Sequence, residues 1–257
     1  MPTIDFNSDM GESFGIYRLG ADREVLRYVT SANVACGFHA GDPRTIKATV
    51  RAAVEANVAI GAHPGYNDLQ GFGRRPIQMS VDEIYDITVY QVGALKAFAE
   101  ACGGHLAHVK AHGALYNVAA RNDEVATALC AAVRDVDSRL IFFGLSGSKL
   151  VDAANEAGLH CAQEVFADRT YQDDGSLTRR GDPRAMITDV NIAVEQVLTM
   201  LESKRVRSVN GAWVDVQPDT LCIHGDQPGA AEFAAAVSGA LKAAGVTIKA
   251  PNIKPHV

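Results

Sequence analysis

Four histidines stand at or just past the ends of four apolar runs, and each is followed at once or one residue later by glycine. They are His39 in Asn33-Val-Ala-Cys-Gly-Phe-His-Ala-Gly-Asp42, His63 in Val58-Ala-Ile-Gly-Ala-His-Pro-Gly65, His112 in His108-Val-Lys-Ala-His-Gly113, and His224 in Leu221-Cys-Ile-His-Gly-Asp226. An apolar run of this length reads as a buried strand, and the glycine after it as a turn. Parallel α/β folds place their chemistry where strands turn into loops. Imidazoles gathered at one such rim suit divalent-metal binding or proton transfer. The first apolar run ends in Asn7, Asp9 and Glu12. Period-2 alternation puts Asn7 and Asp9 on one face, where a carboxylate can bind a metal, take up a proton or hold a substrate amine. The competing reading is a capped turn. Asp9, His39, His63 and His112 are the candidate catalytic set and also the candidate ligands of a metal whose presence the spacing leaves open.

Further polar groups fall on the same inferred rim. Lys110 precedes His112 by two residues, so it shares its strand face and could neutralise an anion. Glu164, Asp168 and Arg169 end another run, with Arg169 able to pair with Asp168 or fork onto a carboxylate or phosphate. Asp226 follows His224 closely. Gly71-Phe-Gly-Arg-Arg-Pro76 joins flexible backbone to guanidinium groups, Arg75 among them, and suits an anion or a mobile loop. Gly144-Leu-Ser-Gly-Ser-Lys149 precedes a helix and could offer amides to a phosphate, although its spacing matches no P-loop. His105, His108, His160 and His256 lie at strand starts, mid-strand or in the tail, and read as structural.

These residues need a scaffold that brings strand ends together. Strands are expected at 3–9, 31–36, 58–62, 106–110, 140–144, 161–166 and 220–223, with a short terminal one at 246–249. Helices are expected from Asp22 to Tyr28, from Asp42-Pro43, from Ser80 to about Cys102, from Asn122 to about Val133, from Lys149 to Ala157, from Pro183 to Lys204, and from Gly229 to Ala244. Asp42-Pro43 is an N-cap followed by proline at the first helical position, and Ser80-Val-Asp-Glu83 is a capping box. The βα alternation implies a parallel sheet, and seven or eight repeats at this length favour a closed barrel over an open doubly wound sheet. No linker divides the chain, so one α/β domain over residues 1–257 is expected.

Bulk properties exclude several function classes. A net charge of −6 with no basic cluster argues against nucleic acid. No apolar run approaches the roughly 20 residues of a membrane span. The N-terminus shows no secretory pattern, which predicts a cytoplasmic protein. Five cysteines without a C-x-x-C pair support neither a disulfide framework nor a zinc finger.

Together the segments resemble the LamB/YcsF family. The matching stretches are Asn7-Ser-Asp-Met-Gly-Glu12, residues 31–43, Ile60-Gly-Ala-His-Pro-Gly-Tyr66 with Gly71-Phe-Gly-Arg-Arg75, His108 to Asn117, Glu164 to Tyr171, and Cys222-Ile-His-Gly-Asp226. One departure is Lys110-Ala-His-Gly113 where the family commonly has Lys-Pro-His-Gly, which removes a fixed φ but no polar group. The resemblance implies an irregular (β/α)7-like, TIM-type barrel similar to the glycoside hydrolase/deacetylase superfamily. It also implies ATP-dependent hydrolysis of 5-oxo-L-proline to L-glutamate together with separate B and C subunits, ATP being a co-substrate. On that reading Asn7, Glu12, Arg75, Lys110, Tyr116, Glu164, Asp168, Arg169, His224 and Asp226 are the expected substrate-binding residues. Two rivals stay open: a metal-dependent amide or sugar hydrolase or deacetylase, and a non-catalytic lactam- or carbohydrate-binding component. A homo-oligomer is neither required nor excluded.

Overall fold

The computed structural model describes residues 2–224 and 229–251. Seven parallel strands form a closed barrel: β1 (Thr3–Met10), β2 (Ser31–Ala35), β3 (Ala59–His63), β4 (Leu106–Lys110), β5 (Ile141–Leu145), β6 (His160–Phe166) and β9 (Thr220–Ile223). Closure comes from β9, which pairs β6 on one side and β1 on the other, with Asn7 opposite Cys222 and Glu164 opposite Thr220. Outside the barrel, β10 (Thr247–Ile248) pairs the start of β1. The expected TIM-type barrel is therefore present.

Local sequence explains where helices begin. Asp42 caps α2 (Pro43–Glu55) by accepting from the amides of Arg44 and Thr45 at 2.8 and 3.0 Å. Ser80 and Glu83 close a full capping box on α3 (Val81–Ala101). Asn122 caps α5 (Asp123–Val136), and Ser148 caps α6 (Lys149–Glu156). The helix expected from Pro183 begins seven residues later, as α7 (Val190–Ser203), because the Asp189 side chain accepts from the Asn191 amide and the stretch before it bonds elsewhere. Ile187 N–H donates to the Asp168 carbonyl, and Met186 bridges Arg169. The helix expected over 22–28 is the single turn α1 (Asp22–Val25). Two elements have no counterpart in the sequence pattern: α4 (Gly113–Ala119), and a hairpin of β7 (Arg205–Arg207) and β8 (Trp213–Asp215). Helix α8 (Ala230–Ala243) packs against α7 and β10.

Two environments separate across each strand. The outward faces join the helices in the main apolar core, from Phe6 and Val34 to Leu129 and Val237. The inward faces are largely polar: Asp5, Asn7, Ser31, Asn33, His108, Glu164 and Thr220 are all buried. The apolar cluster Ile141, Phe143 and Ala162 stands apart from the main core. Parallel strands are buried on both faces, so these polar groups must satisfy one another. Asp5 takes hydroxyl bonds from Thr30 and Ser31 at 2.7 Å each and from Thr220 at 2.5 Å. His108 donates Nε2–H to Asn33 Oδ1 at 2.8 Å and stacks on Phe143 with ring centroids 4.2 Å apart. Gly61, in register with both Asn33 and His108, leaves the space that this imidazole fills. A Cβ there would lie 2.0 Å from His108 Nε2.

This interior generates two stability predictions. Gly61→Ala should destabilise the protein by about 2 kcal/mol or more, because the imidazole has no apolar slack to retreat into; an unchanged urea midpoint would refute this. Burial raises the Asp5 carboxyl from 3.8 to about 6 despite its three hydroxyl donors, with Thr220 the foremost. The fold thus favours neutral Asp5, a contribution fully present below about pH 4 and lost as pH rises through about 6. Relative to Asp5→Asn, the native protein should lose about 2 kcal/mol between about pH 4 and pH 7, read from denaturation of both proteins at both pH values.

Candidate active site

The strand ends meet at one rim. Asp9 comes from β1 and Glu12 from just beyond it, His39 from the loop after β2, His63 from the last position of β3, and Lys110 and His112 from the end of β4. Asp168 follows β6 and His224 follows β9. Asp9, His63, Lys110, His112, Tyr116, Arg169 and His224 border one small cavity of about 40 Å³.

Lys110 organises its floor. Its ammonium is buried and lies 3.0 Å from Asp9 Oδ1, 2.9 Å from Glu164 Oε1, 3.3 Å from Asn7 Oδ1 and 3.0 Å from Cys222 Sγ. Burial alone would neutralise it, but Asp9, Cys222 and Glu164 outweigh burial and hold its pKa well above the ordinary value. Asn7 Nδ2 bridges Glu164 Oε1 and Thr220 Oγ1 at 3.1 and 2.7 Å. Tyr116 donates its hydroxyl to Glu164 Oε2 at 2.6 Å. Asn33 Nδ2 donates to Asn7 Oδ1 and Asp9 Oδ1 at 2.8 and 2.9 Å. Burial pushes the Asp9 carboxyl up, yet His63 and Lys110 hold it well below its ordinary range. Asn7, Glu164 and Tyr116, expected at a substrate, are thus tied to one another and to Lys110.

Above this floor sit three imidazoles. His39 and His112 stack with centroids 3.7 Å apart and planes 3° apart, and His63 lies edge-on to both. Burial, with nearby imidazoles second, holds His39 and His112 well below their ordinary pKa, so both stand as neutral rings. The ring partners fix the protons. His63 Nδ1 meets the Lys110 carbonyl at 2.7 Å, and His112 Nε2 meets the Phe72 carbonyl at 2.8 Å. A carbonyl only accepts, so both of those nitrogens carry hydrogen. The remaining nitrogens, His63 Nε2 and His112 Nδ1, face each other at 3.0 Å. Two lone pairs at that distance need a proton or a cation between them.

A metal fits this demand. Glu12, His39, His63 and His112 each offer one ligand atom, all within 4.8 Å of one another. Glu12 Oε1 lies 3.6 Å from His39 Nε2 and 3.7 Å from His112 Nδ1. Ligands 2.0–2.1 Å from a zinc-like ion are separated by about 3.3 Å, which these distances bracket. Among the described residues neither ring nitrogen of His39 has a hydrogen-bond partner although the residue is buried, and such an orphan calls for a ligand. The four-residue group contains Glu12 where sequence spacing puts Asp9. Asp9 is spent on Lys110 and Asn33, with only its Oδ2 turned to His63 Nε2, at 3.3 Å. The glycines beside the histidines are packing residues as well as turns: a Cβ at Gly65 would lie 2.8 Å from His39 Nδ1, and one at Gly73 would lie 2.7 Å from His39 Cβ.

The other expected residues divide. His224 pairs with Asp168, Nδ1 to Oδ2 at 2.8 Å, while Asp168 also accepts the His224 amide at 3.2 Å. Of the two roles open to Arg169, the pairing with Asp168 is not made among the described residues. Arg169 instead holds the carbonyls of Thr178 and Ala185 at 2.5 and 3.3 Å. Arg75 does not reach the cavity: it turns outward onto Asp68, and its neighbour Arg74 borders the site instead. Arg180, on the segment after β6, also borders it, and no periodic or motif signal in the sequence marks it. Asp226 lies outside the described residues. The amides that could cradle phosphate are used internally: Gly147 N–H donates to Gln163 Oε1 and Ser146 N–H to the Glu164 carbonyl, while Ser146 Oγ donates to Gln163 Oε1 and accepts from Gln217 N–H. All five cysteines are unbridged, and among the described residues no helix is long and apolar enough to cross a membrane.

Known proteins share this chain nearly end to end. Those named as the A subunit of 5-oxoprolinase from Tolumonas auensis and Bordetella pertussis are 56% and 57% identical over 250 and 249 residues, covering 97% of this chain and 100% and 99% of theirs. The crystal structure of a lactam utilization protein from Thermus thermophilus superposes with a TM-score of 0.91 at 45% identity, covering 97% of this chain and 100% of that one. The LamB/YcsF family model matches residues 4–255. With a match of that span and relatives more than half identical along it, this chain belongs to the LamB/YcsF family.

Proposed function

We propose that this chain carries the lactam-opening site of an ATP-dependent 5-oxoprolinase, converting 5-oxo-L-proline, ATP and water into L-glutamate, ADP and phosphate with B and C partner subunits. The observation that carries the reading is the rim itself, where a cation-demanding imidazole cluster adjoins an ionised Asp9 and an oriented Asp168–His224 pair. The names of the relatives supply the substrate class. A five-membered lactam is a stabilised amide, so its hydrolysis is sluggish. Phosphorylation of the amide oxygen makes the carbon a better electrophile, which accounts for ATP; the nucleotide is assigned to the assembled enzyme.

Glu12, His39, His63 and His112 would hold a divalent metal, which polarises an oxygen or acidifies a water when bound. Asp9 Oδ2 accepts the proton of an attacking water. Asp168 holds His224 through Nδ1, so Nε2 remains to deliver a proton to the departing ring nitrogen. Lys110 keeps Asp9 ionised and fixed. A metal-dependent amide hydrolase that needs no ATP is the second reading, favoured by the Glu12–histidine group.

Titration of the purified chain with Zn²⁺ or Mn²⁺ should show one tight site. Its affinity should fall roughly 100-fold or more in His63→Ala and His112→Ala but stay within about tenfold in Asp9→Asn. Equal losses in all three would return Asp9 to the ligand set. Glutamate release from 5-oxoproline should require ATP and the partner subunits, and His224→Ala or Asp9→Asn should lower kcat about 10²–10⁴-fold. No glutamate from the complete set with ATP would sink the proposal, while release by this chain without ATP would establish the second reading.

A further inference from the structure

The loop after β3 folds back over the imidazoles, and it carries a strained residue where it does so. Phe72 has a φ of +54°, and Gly73 follows at +61°. Glycine takes that left-handed region freely, but a bulky residue there costs about 1–3 kcal/mol and persists only where its surroundings hold it. Bonds on each side do so. Phe72 N–H donates to the Leu69 carbonyl at 3.3 Å, and Gly73 N–H donates to the Asp68 carbonyl at 2.9 Å. The Gly73 carbonyl accepts from the Ala114 amide at 2.9 Å, and Asp68 N–H donates to the Phe38 carbonyl at 3.2 Å. The turn is therefore pinned to the start of α4 and to the loop after β2.

This strained position sets two groups at once. The Phe72 carbonyl accepts from His112 Nε2 at 2.8 Å, which leaves His112 Nδ1 as the atom that faces His63. The Phe72 ring stands edge-on to both stacked imidazoles, its centroid 5.8 Å from that of His39 and 5.2 Å from that of His112. The Arg74 guanidinium lies over the same ring, 4.8 Å from its centroid. Asp9, His63, His112 and His224 border the cavity, whereas His39 and Phe72 are set back from it. His39 is buried all the same. The backbones of Gly65 and Gly73 lie too close to it for a Cβ, and the half-buried Phe72 ring covers it from the loop side.

We propose that Phe72 is the shield of the imidazole cluster. It is a positioning residue: its carbonyl holds His112, and its ring closes the His39–His112 side of the cluster. A divalent metal held there then exchanges slowly with solvent, and the cluster opens only toward the cavity beside Asp9 and His224. The inference rests on the metal-binding part of the function proposed above. An apolar shell governs solvent access to a metal site, so the ring controls rates, while the carbonyl contact, which any residue at position 72 can supply, maintains affinity.

The test compares the full-length wild type with Phe72→Asn and Phe72→Leu. Asparagine accepts the left-handed backbone and removes the ring, while leucine restores an apolar cover. In Phe72→Asn, Zn²⁺ release to excess chelator and Zn²⁺ uptake should both quicken roughly tenfold or more, with Kd within about threefold of wild type. In Phe72→Leu both rates should stay within about threefold. Diethyl pyrocarbonate gives a second reading on the metal-free protein. Acylation of His39 and His112, mapped by mass spectrometry, should quicken about tenfold in Phe72→Asn and hold near the wild-type rate in Phe72→Leu. His108, buried on the inner face of the barrel, should stay protected throughout and so reports the fold. Where it does not, Phe72→Gly, which meets no φ penalty, replaces Phe72→Asn. Release and acylation rates unchanged on loss of the ring overturn the shield. Release that quickens only in step with a weakened Kd also overturns it, since that marks a distorted ligand set and not an uncovered one. If the wild type binds no Zn²⁺, the metal reading fails, and the shield stands or falls on the acylation rates.

Discussion

A single buried ammonium sets the terms for this barrel. Lys110 would be intolerable in a barrel interior on its own, since removing a charge from water costs several kcal/mol unless partners replace the lost hydration. Asp9 and Glu164 supply opposite charge within 3.0 Å, and Asn7 and Cys222 complete the shell. Each partner is then fixed by a further bond: Glu164 by Tyr116 and Asn7, Asp9 by Asn33, Asn33 by His108, and His108 by the space at Gly61. The polarity of the inner strand faces follows from that one placement. An apolar filling of the kind that packs most barrels would leave Lys110 with no shell.

The same placement separates the roles of strands and loops. Groups on or directly beside strand ends, such as Asp9, His63, Lys110 and His112, are positioned by register, and their carbonyl contacts settle which ring nitrogen carries hydrogen. Groups that meet the cavity from outside, Arg74 and Arg180, sit on the loop after β3 and the segment after β6. The long segment after β6 is anchored by Arg169 and by the bridge to Met186.

Much of this is legible in the sequence, for physical reasons. Apolar runs ending in histidine and glycine report strand ends because the barrel buries both strand faces and the turns need glycine, at positive φ in Gly41 and Gly113 and against His39 at Gly65. Caps at Asp42 and Ser80 are local chemistry, and the structure forms both. What escapes depends on partners distant in sequence. The choice of Glu12 over Asp9 beside the imidazoles is decided by Lys110, about a hundred residues away. His108 reads as a structural residue, and it is one, but its bond to Asn33 links it to Asp9. The late start of α7 reflects bonds from residues 186 and 187 back to the end of β6 and beyond, which periodicity cannot register. Nothing in the sequence separates Arg74 from Arg75, since Asp68, near in the chain but invisible as a partner, decides their different fates.

Asp9 is the residue at which the two halves of the rim meet, and its two oxygens are not equivalent. Oδ1 accepts from Asn33 and Lys110, both strong donors that hold it as part of the buried shell. Oδ2 faces His63 Nε2 at 3.3 Å and has the capacity to accept another hydrogen. A proton arriving at Asp9 therefore lodges on Oδ2, on the side of the imidazoles, without breaking the Lys110 shell. The reverse also holds: any cation placed among Glu12, His39, His63 and His112 lies next to Oδ2, while Lys110 already holds Oδ1. Positive charge on both sides keeps Asp9 ionised, and an ionised Asp9 is what makes a buried Lys110 tolerable. The network that stabilises the barrel interior and the group that would move a proton are joined in one carboxylate, which is why neither can be altered alone.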